Sequence, residues 1–251
     1  MLKICSTLTI AILAGILTAP PSAGTAVYEF AVKLNIQLPP GQEALLAQLP
    51  TESKSEKILH FTSEASLFMD PPADEESDAG DMSAAEGGVN INIVMGEPEN
   101  RYFKNLVDKT KTEKLDFLGR VFLIQDKLNS LAWKITGKQK VIMDYTCQQA
   151  TAMRDTTPIE VWFAPQIPVS TGPGSLGGLP GLIVEASIDN GQQTYRLKSL
   201  DLTAPDPAIM VPPKKGKKVN QEEFNRIQAE KMKEMEMENG GNGTMIKVIR
   251  R

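Results

Sequence analysis

Histidine and cysteine are almost missing from this chain of 251 residues: one histidine, His60, and two cysteines, Cys5 and Cys147. A Ser-His-Asp hydrolase would have to be built on His60, which lies inside a strand-like run with nothing nearby to support a triad. Structural zinc sites draw on more Cys and His than the chain owns, so neither a metal site nor a cofactor is expected, and no catalytic residue is assigned. Long Lys/Arg tracts are missing too, and the net charge is −4. A nucleic-acid binder would carry a basic face, so that class is excluded. Aromatic residues make up only 6%, against 17 prolines and 19 glycines. That balance implies many turns between short elements rather than a helical bundle.

What is present begins with a leader. Lys3 supplies a positive charge, Leu8 to Leu17 is apolar, and small residues follow up to Ala26. The apolar core is too short for a comfortable membrane span, so residues 1–26 read as a secretory signal, cut after Ala23 or Ala26. No transmembrane span is expected after cleavage. Cys5 would leave with the leader, and the loss of Lys3 would take the charge from −4 to −5. The remaining cysteine, Cys147, has no intramolecular partner and reads as a buried small hydrophobe.

Residues 27–203 read as one antiparallel β domain. Val27 to Leu38 alternates Tyr28, Phe30, Val32, Leu34 and Ile36 against Glu29, Lys33, Asn35 and Gln37, a period-two pattern for a half-buried strand. Gln42 to Leu49 suggests a short helix, and Lys54 to Met69 contains a second strand. Asp70 to Gly88 is acidic, rich in Pro and Gly, and expected to be a disordered, solvated loop. Strands resume at 89–95, 101–107, 112–115 and 119–124. Ala132 to Thr136 and Val141 to Met153 suggest a hairpin turning near Gly137-Lys138. Another strand follows at 159–164, and a final hairpin is centred on Asn190-Gly191. Residues 204–251 read as a Pro/Lys linker, a charged helix from Asn220 to Glu238 with Asn220 as its cap, and a short strand at 244–248. The expected fold is mainly β: a curved antiparallel sheet, half-barrel or sandwich-like, with a charged C-terminal helix.

Three motif matches fail on their context. Gly172-Pro173-Gly174-Ser175-Leu176-Gly177 fits G-x-G-x-x-G, but Gly178, Pro180 and Gly181 follow where a nucleotide-binding helix should open. Ser175 lacks the first glycine of a nucleophile elbow, and no histidine follows it. The acidic run Asp74, Glu76, Asp78, Asp81 has its glycine one place late for an EF-hand. Trp133, Trp162 and Phe163 fall in strand-like runs, where core packing is the first reading and an apolar groove the second.

Lys140 to Leu182 carries a resemblance. Tyr145-Thr146-Cys147-Gln148-Gln149-Ala150-Thr151 is followed by Val161-Trp162-Phe163-Ala164-Pro165-Gln166-Ile167-Pro168-Val169-Ser170, then Gly172-Pro173, then Gly178-Leu179-Pro180-Gly181-Leu182-Ile183. In order and spacing this resembles the GLPGLI family of exported proteins of Bacteroidetes-type bacteria. The charged stretch 217–235 looks like that family's tail. This chain departs from the pattern at Gly174-Ser175-Leu176-Gly177, where members often carry bulky residues. The resemblance implies export, a Gram-negative envelope setting and a β-rich fold. It supplies no catalytic residues.

The motif residues Cys147, Trp162, Pro168, Gly172, Pro173, Gly178, Leu179, Pro180, Gly181, Leu182 and Ile183 are therefore expected to be structural or binding. The first functional expectation is a non-enzymatic envelope protein, periplasmic or extracellular or attached at the outer membrane. Its partner would be an envelope protein or a small apolar or peptide ligand. The alternative is a periplasmic enzyme that uses amides of the Gly-rich loop as an anion or oxyanion site, with Asp144, Asp155 or Glu160 as acid or base.

Overall fold

Alternation in the first strand sets the architecture. In a computed structural model, which describes residues 20–34, 50–72, 82–86, 89–93 and 100–238, β1 (Gly24–Lys33) buries Ala26, Tyr28 and Phe30 while Thr25, Val27 and Glu29 are half-exposed. Both edges of β1 are used. β2 (Glu52–Phe61) pairs on one side and β13 (Gln193–Asp201) on the other, both antiparallel. β1 is thus interior to one open sheet of twelve strands, ordered β14-β8-β7-β6-β3-β2-β1-β13-β12-β11-β10-β9.

The remaining members are β3 (Ala65–Met69), β6 (Arg101–Asn105), β7 (Thr110–Phe117), β8 (Arg120–Lys127), β9 (Lys134–Ile142), β10 (Tyr145–Arg154), β11 (Thr157–Ala164), β12 (Leu182–Ile188) and β14 (Lys217–Val219). Every pairing is antiparallel except β14 on β8. Short turns suffice for most of these connections, as antiparallel neighbours allow. β4 (Met82–Glu86) and β5 (Val89–Ile93) form a separate two-stranded sheet. β4 lies within the stretch expected as a loop; residues 73–81 and 87–88 of that stretch lie outside the described residues. So do the expected helix at 42–49 and the expected strand at 244–248.

Two boundaries differ from expectation for local reasons. The β9–β10 turn is at Met143-Asp144 rather than Gly137-Lys138: Met143 takes φ 52° there. Gly137, at φ 79°, instead sits where the β9–β10 register slips. An isolated glycine in a strand pattern marks a bulge as readily as a turn. The Pro/Lys linker contains β14, which a three-residue parallel pairing does not announce in sequence.

Among the described residues the apolar core has three parts. Ala26, Tyr28, Leu59 and Phe61 pack with Cys147, Ala164, Ile167, Val169, Leu182 and Val184. Ala150, Ile159, Val161, Phe163, Ile183 and Ala186 pack with Leu176 and Leu179. Phe122, Ile124 and Val219 receive Phe224 of helix α1 (Gln221–Glu238). The helix starts where Asn220 Oδ1 accepts the Glu223 N–H at 2.7 Å. Its acidic first turn, Glu222 and Glu223, suits the positive end of the helix dipole. Among the described residues no helix is long and apolar enough to cross a membrane.

Candidate functional site

β11 and β12 are register neighbours, with Ala164 opposite Leu182 and Phe163 opposite Ile183. Residues 165–181 leave the sheet and return to almost the same point, which makes them a compact loop packed by its own side chains. The first arm, Ile167 to Thr171, alternates buried and exposed residues: Ile167, Val169 and Thr171 point in, Pro168 and Ser170 point out. Thr171 forms a bridge with Gly177, closing the loop on itself. Leu176 and Leu179 then join Ile183 in the second apolar cluster, while Leu182 enters the first; Leu182 and Ile183 are fully buried.

The hexapeptide is fitted to this closure. A Cβ on Gly181 would run into the Ala164 carbonyl oxygen and lie 2.7 Å from its carbon. Gly178 takes φ +88°, a left-handed conformation that L side chains rarely adopt, and is met by the Trp133 ring. Trp133 Nε1 donates to the Gly177 carbonyl at 2.8 Å. Pro173 is buried, whereas Pro168 and Pro180 are exposed. Trp162 lies half-buried on β11 with the Lys140 ammonium 4.4 Å from its ring centroid, and Lys140 also bonds Glu185 at 2.7 Å. Cys147 is buried in the first cluster; burial pushes its thiol up, away from the reactive thiolate.

Beneath the loop stands a residue the sequence reasoning missed. Lys104, on β6, is 2% exposed. Its Nζ donates to Thr171 Oγ1 at 3.2 Å, to the Gly172 carbonyl at 2.9 Å and to the Leu176 carbonyl at 2.6 Å. Ser66 Oγ lies 2.8 Å from Thr171 Oγ1. Burial pushes the Lys104 ammonium down to about 7. The available signal was the alternation of β6, which sets Lys104 on the same face as Tyr102.

The loop therefore presents acceptors to its interior. The amides of Ile167, Val169, Thr171, Leu176, Leu182 and Ile183 are spent on backbone carbonyls of the loop and its stem. The group that meets the inward Gly172 and Leu176 carbonyls is the protein's own Lys104. The carboxylates considered for acid–base work do not gather at the loop. Asp144 and Asp155 are exposed in turns at opposite ends of β10, and Glu160 is exposed on β11. Among the described residues no group of three or more His, Cys, Asp or Glu side chains is placed to hold a metal ion.

What fold and loop define together is a β module: one open, mostly antiparallel sheet whose Gly/Pro loop is sealed into the core. The family model described as a protein of unknown function (Porph_ging) matches residues 153–185, which span β11, the loop and the start of β12. Solved structures of PNGF-II in the C2 and P21 space groups share the fold, with TM-scores of 0.54 and 0.53 at 15% identity. The alignments cover 82% of this chain but only 32% and 33% of the PNGF-II chains, so this chain spans about a third of their length. No curated protein matches it.

Proposed function

We propose that this chain is an exported, non-enzymatic member of the GLPGLI family, a β module of the cell envelope that binds an envelope protein or a small apolar or peptide ligand. The observation that supports this most is the sealed loop. Leu176, Leu179, Leu182 and Ile183 are buried around it, and its inward carbonyls accept from the Lys104 amino group, which supports a packing role for the segment that suggested catalysis. Likeness to one third of a longer chain suits a module that works beside other parts. The periplasm or the extracellular face is the expected place, given the leader.

The test is capture of a partner by the immobilised chain from an envelope extract of its host, read for protein and lipid by mass spectrometry. Saturable recovery of one species, lost with a Gly181→Ala variant, is the expected result. Recovery of neither protein nor lipid at stoichiometric level would overturn this reading. Turnover of an ester, amide or glycoside that is abolished by Asp144→Asn, Asp155→Asn or Glu160→Gln would favour the enzyme instead.

A further inference from the structure

Among the described residues three lysines are buried, on adjacent parts of the sheet, and two of them have carboxylate partners. Lys57 pairs with Asp70, and Lys111 lies 3.5 Å from Glu113 and donates to Gln221 Oε1 at 2.6 Å. Among the described residues no carboxylate pairs with Lys104; its three partners are neutral oxygens. The charged and titratable groups around it come from every neighbouring element. Tyr102 of β6 lies 5.9 Å from Nζ at its ring centroid. Lys111 of β7 stands opposite in register, 5.4 Å from the same ring, with Glu113 beside it. Arg154, at the end of β10, donates to Ser175 on the loop at 3.0 Å. Ser66 faces it from β3, and the loop residues 171–176 carry no titratable side chain.

The Thr171 hydroxyl allows two hydrogen-bonding states. When Lys104 is an ammonium, three N–H groups meet three acceptors, and Thr171 turns its own proton to Ser66 Oγ. When Lys104 is a neutral amine, two N–H groups serve the carbonyls of Gly172 and Leu176. The nitrogen lone pair then accepts the Thr171 proton, and Thr171 accepts from Ser66. A hydroxyl can both donate and accept by rotating, so Thr171 keeps both Lys104 and Ser66 as partners in either state. The states differ in cost, because the charged one is held out of water with no anion beside it.

We propose that Lys104, Thr171 and Ser66 form a proton-operated latch beneath the Gly/Pro loop, seating it firmly when Lys104 is neutral and loosening it when Lys104 takes up a proton. This goes beyond the binding reading and stands independently of it. With the loop lifted, Lys104 returns to the ordinary lysine range; with the loop seated, it lies near 7. Seating then releases a proton between those values, and the opening constant falls about tenfold per pH unit as pH rises.

Trp133 reports the loop through its bond to the Gly177 carbonyl. The experiment is an NMR titration of the whole chain from about pH 6 to about pH 9.5, following lysine Cε–H signals and Trp133 indole exchange corrected for base catalysis. One lysine, identified by its loss in Lys104→Met, is expected to titrate near neutral pH, with the Trp133 opening constant following the same group. Thr171→Val removes an acceptor from the ammonium and a donor from the amine; the charge-assisted bond is the stronger of the two, so the midpoint should move down. A Lys104 midpoint in the ordinary lysine range would overturn the proposal. So would a Trp133 profile identical in Lys104→Met, or, where that variant fails to fold, an unmoved midpoint in Thr171→Val.

Discussion

At the scale of single residues, buried ionisable groups set the pH response of the fold. Lys104 unfolds to an ordinary value of 10.5 and folds to about 7. Between those values the unfolded chain binds the extra proton, so stability increases with pH across that window and is lost as pH falls toward 7. Tyr28 acts in the opposite sense. It is fully buried, and its value is raised by that burial from 10.0. Its stabilisation is present below pH 10 and lost above it, as the unfolded phenol ionises. Urea midpoints should therefore climb from pH 7 toward pH 9.5, with a ceiling of about 1.4 kcal/mol per pH unit. Lys104→Met should flatten that slope. A second residue-scale prediction concerns Gly181: with the Ala164 carbonyl occupying the space of a Cβ, Gly181→Ala should cost at least about 2 kcal/mol in chemical denaturation. An unchanged midpoint would mean that the loop accommodates a methyl group by shifting.

At the scale of elements, legibility followed periodicity. β1 was readable because Tyr28, Phe30 and Val32 alternate with polar residues, and the β12–β13 hairpin because Asn190 and Gly191 both take positive φ. α1 was readable because Asn220 is a cap and Phe224 and Ile227 stand one turn apart on the packed side. The path of the Gly/Pro loop was not readable in detail. Its alternation from Ile167 to Thr171 resembles a strand, yet what it packs against is Lys104 from 67 or more positions earlier in the chain. A long-range polar contact of that kind leaves no local pattern. The helix supplies an element-scale prediction. Phe224 stacks edge-on against Phe117 and Phe122, at 5.8 and 5.4 Å between ring centroids. From Gln228 to Met235 the helix is mostly exposed. Phe224→Ala should cost about 3 kcal/mol or more at that site and should release the helix from β8. Asn220→Ala should cost only about 1 kcal/mol. Far-UV circular dichroism would separate the two: loss of helical signal with the sheet signal kept is expected for Phe224→Ala.

At the scale of the molecule, the question is whether twelve strands behave as one unit. The first apolar cluster contains Leu59 and Phe61 of β2 as well as Cys147 of β10 and Val184 of β12. Strands far apart in the sheet thus share one core. The loop adds a second tie, since Lys104 on β6 holds Thr171 and Gly172, which follow β11. A chain joined in this way should unfold in a single transition. Cys147 tests this directly, because it is fully buried and its thiol bonds only weakly, to the Tyr145 carbonyl at 3.4 Å. No sub-global opening of the β6 side should expose it without breaking the shared cluster. Thiol labelling should therefore be negligible in native buffer, and its rise with urea should coincide with the far-UV circular dichroism transition of the whole sheet; Trp133 and Trp162 both lie in the β9 to β12 part, so fluorescence follows that part only. Lys104→Met lies on the opposite side of the sheet from β10 in strand order. If it alters Cys147 labelling and the circular dichroism midpoint by the same free energy, the sheet is one cooperative body. If Cys147 labelling and tryptophan fluorescence change at a lower urea concentration than the circular dichroism signal, β9 to β12 open on their own, and the seam between loop and β6 does not bind the two halves into one.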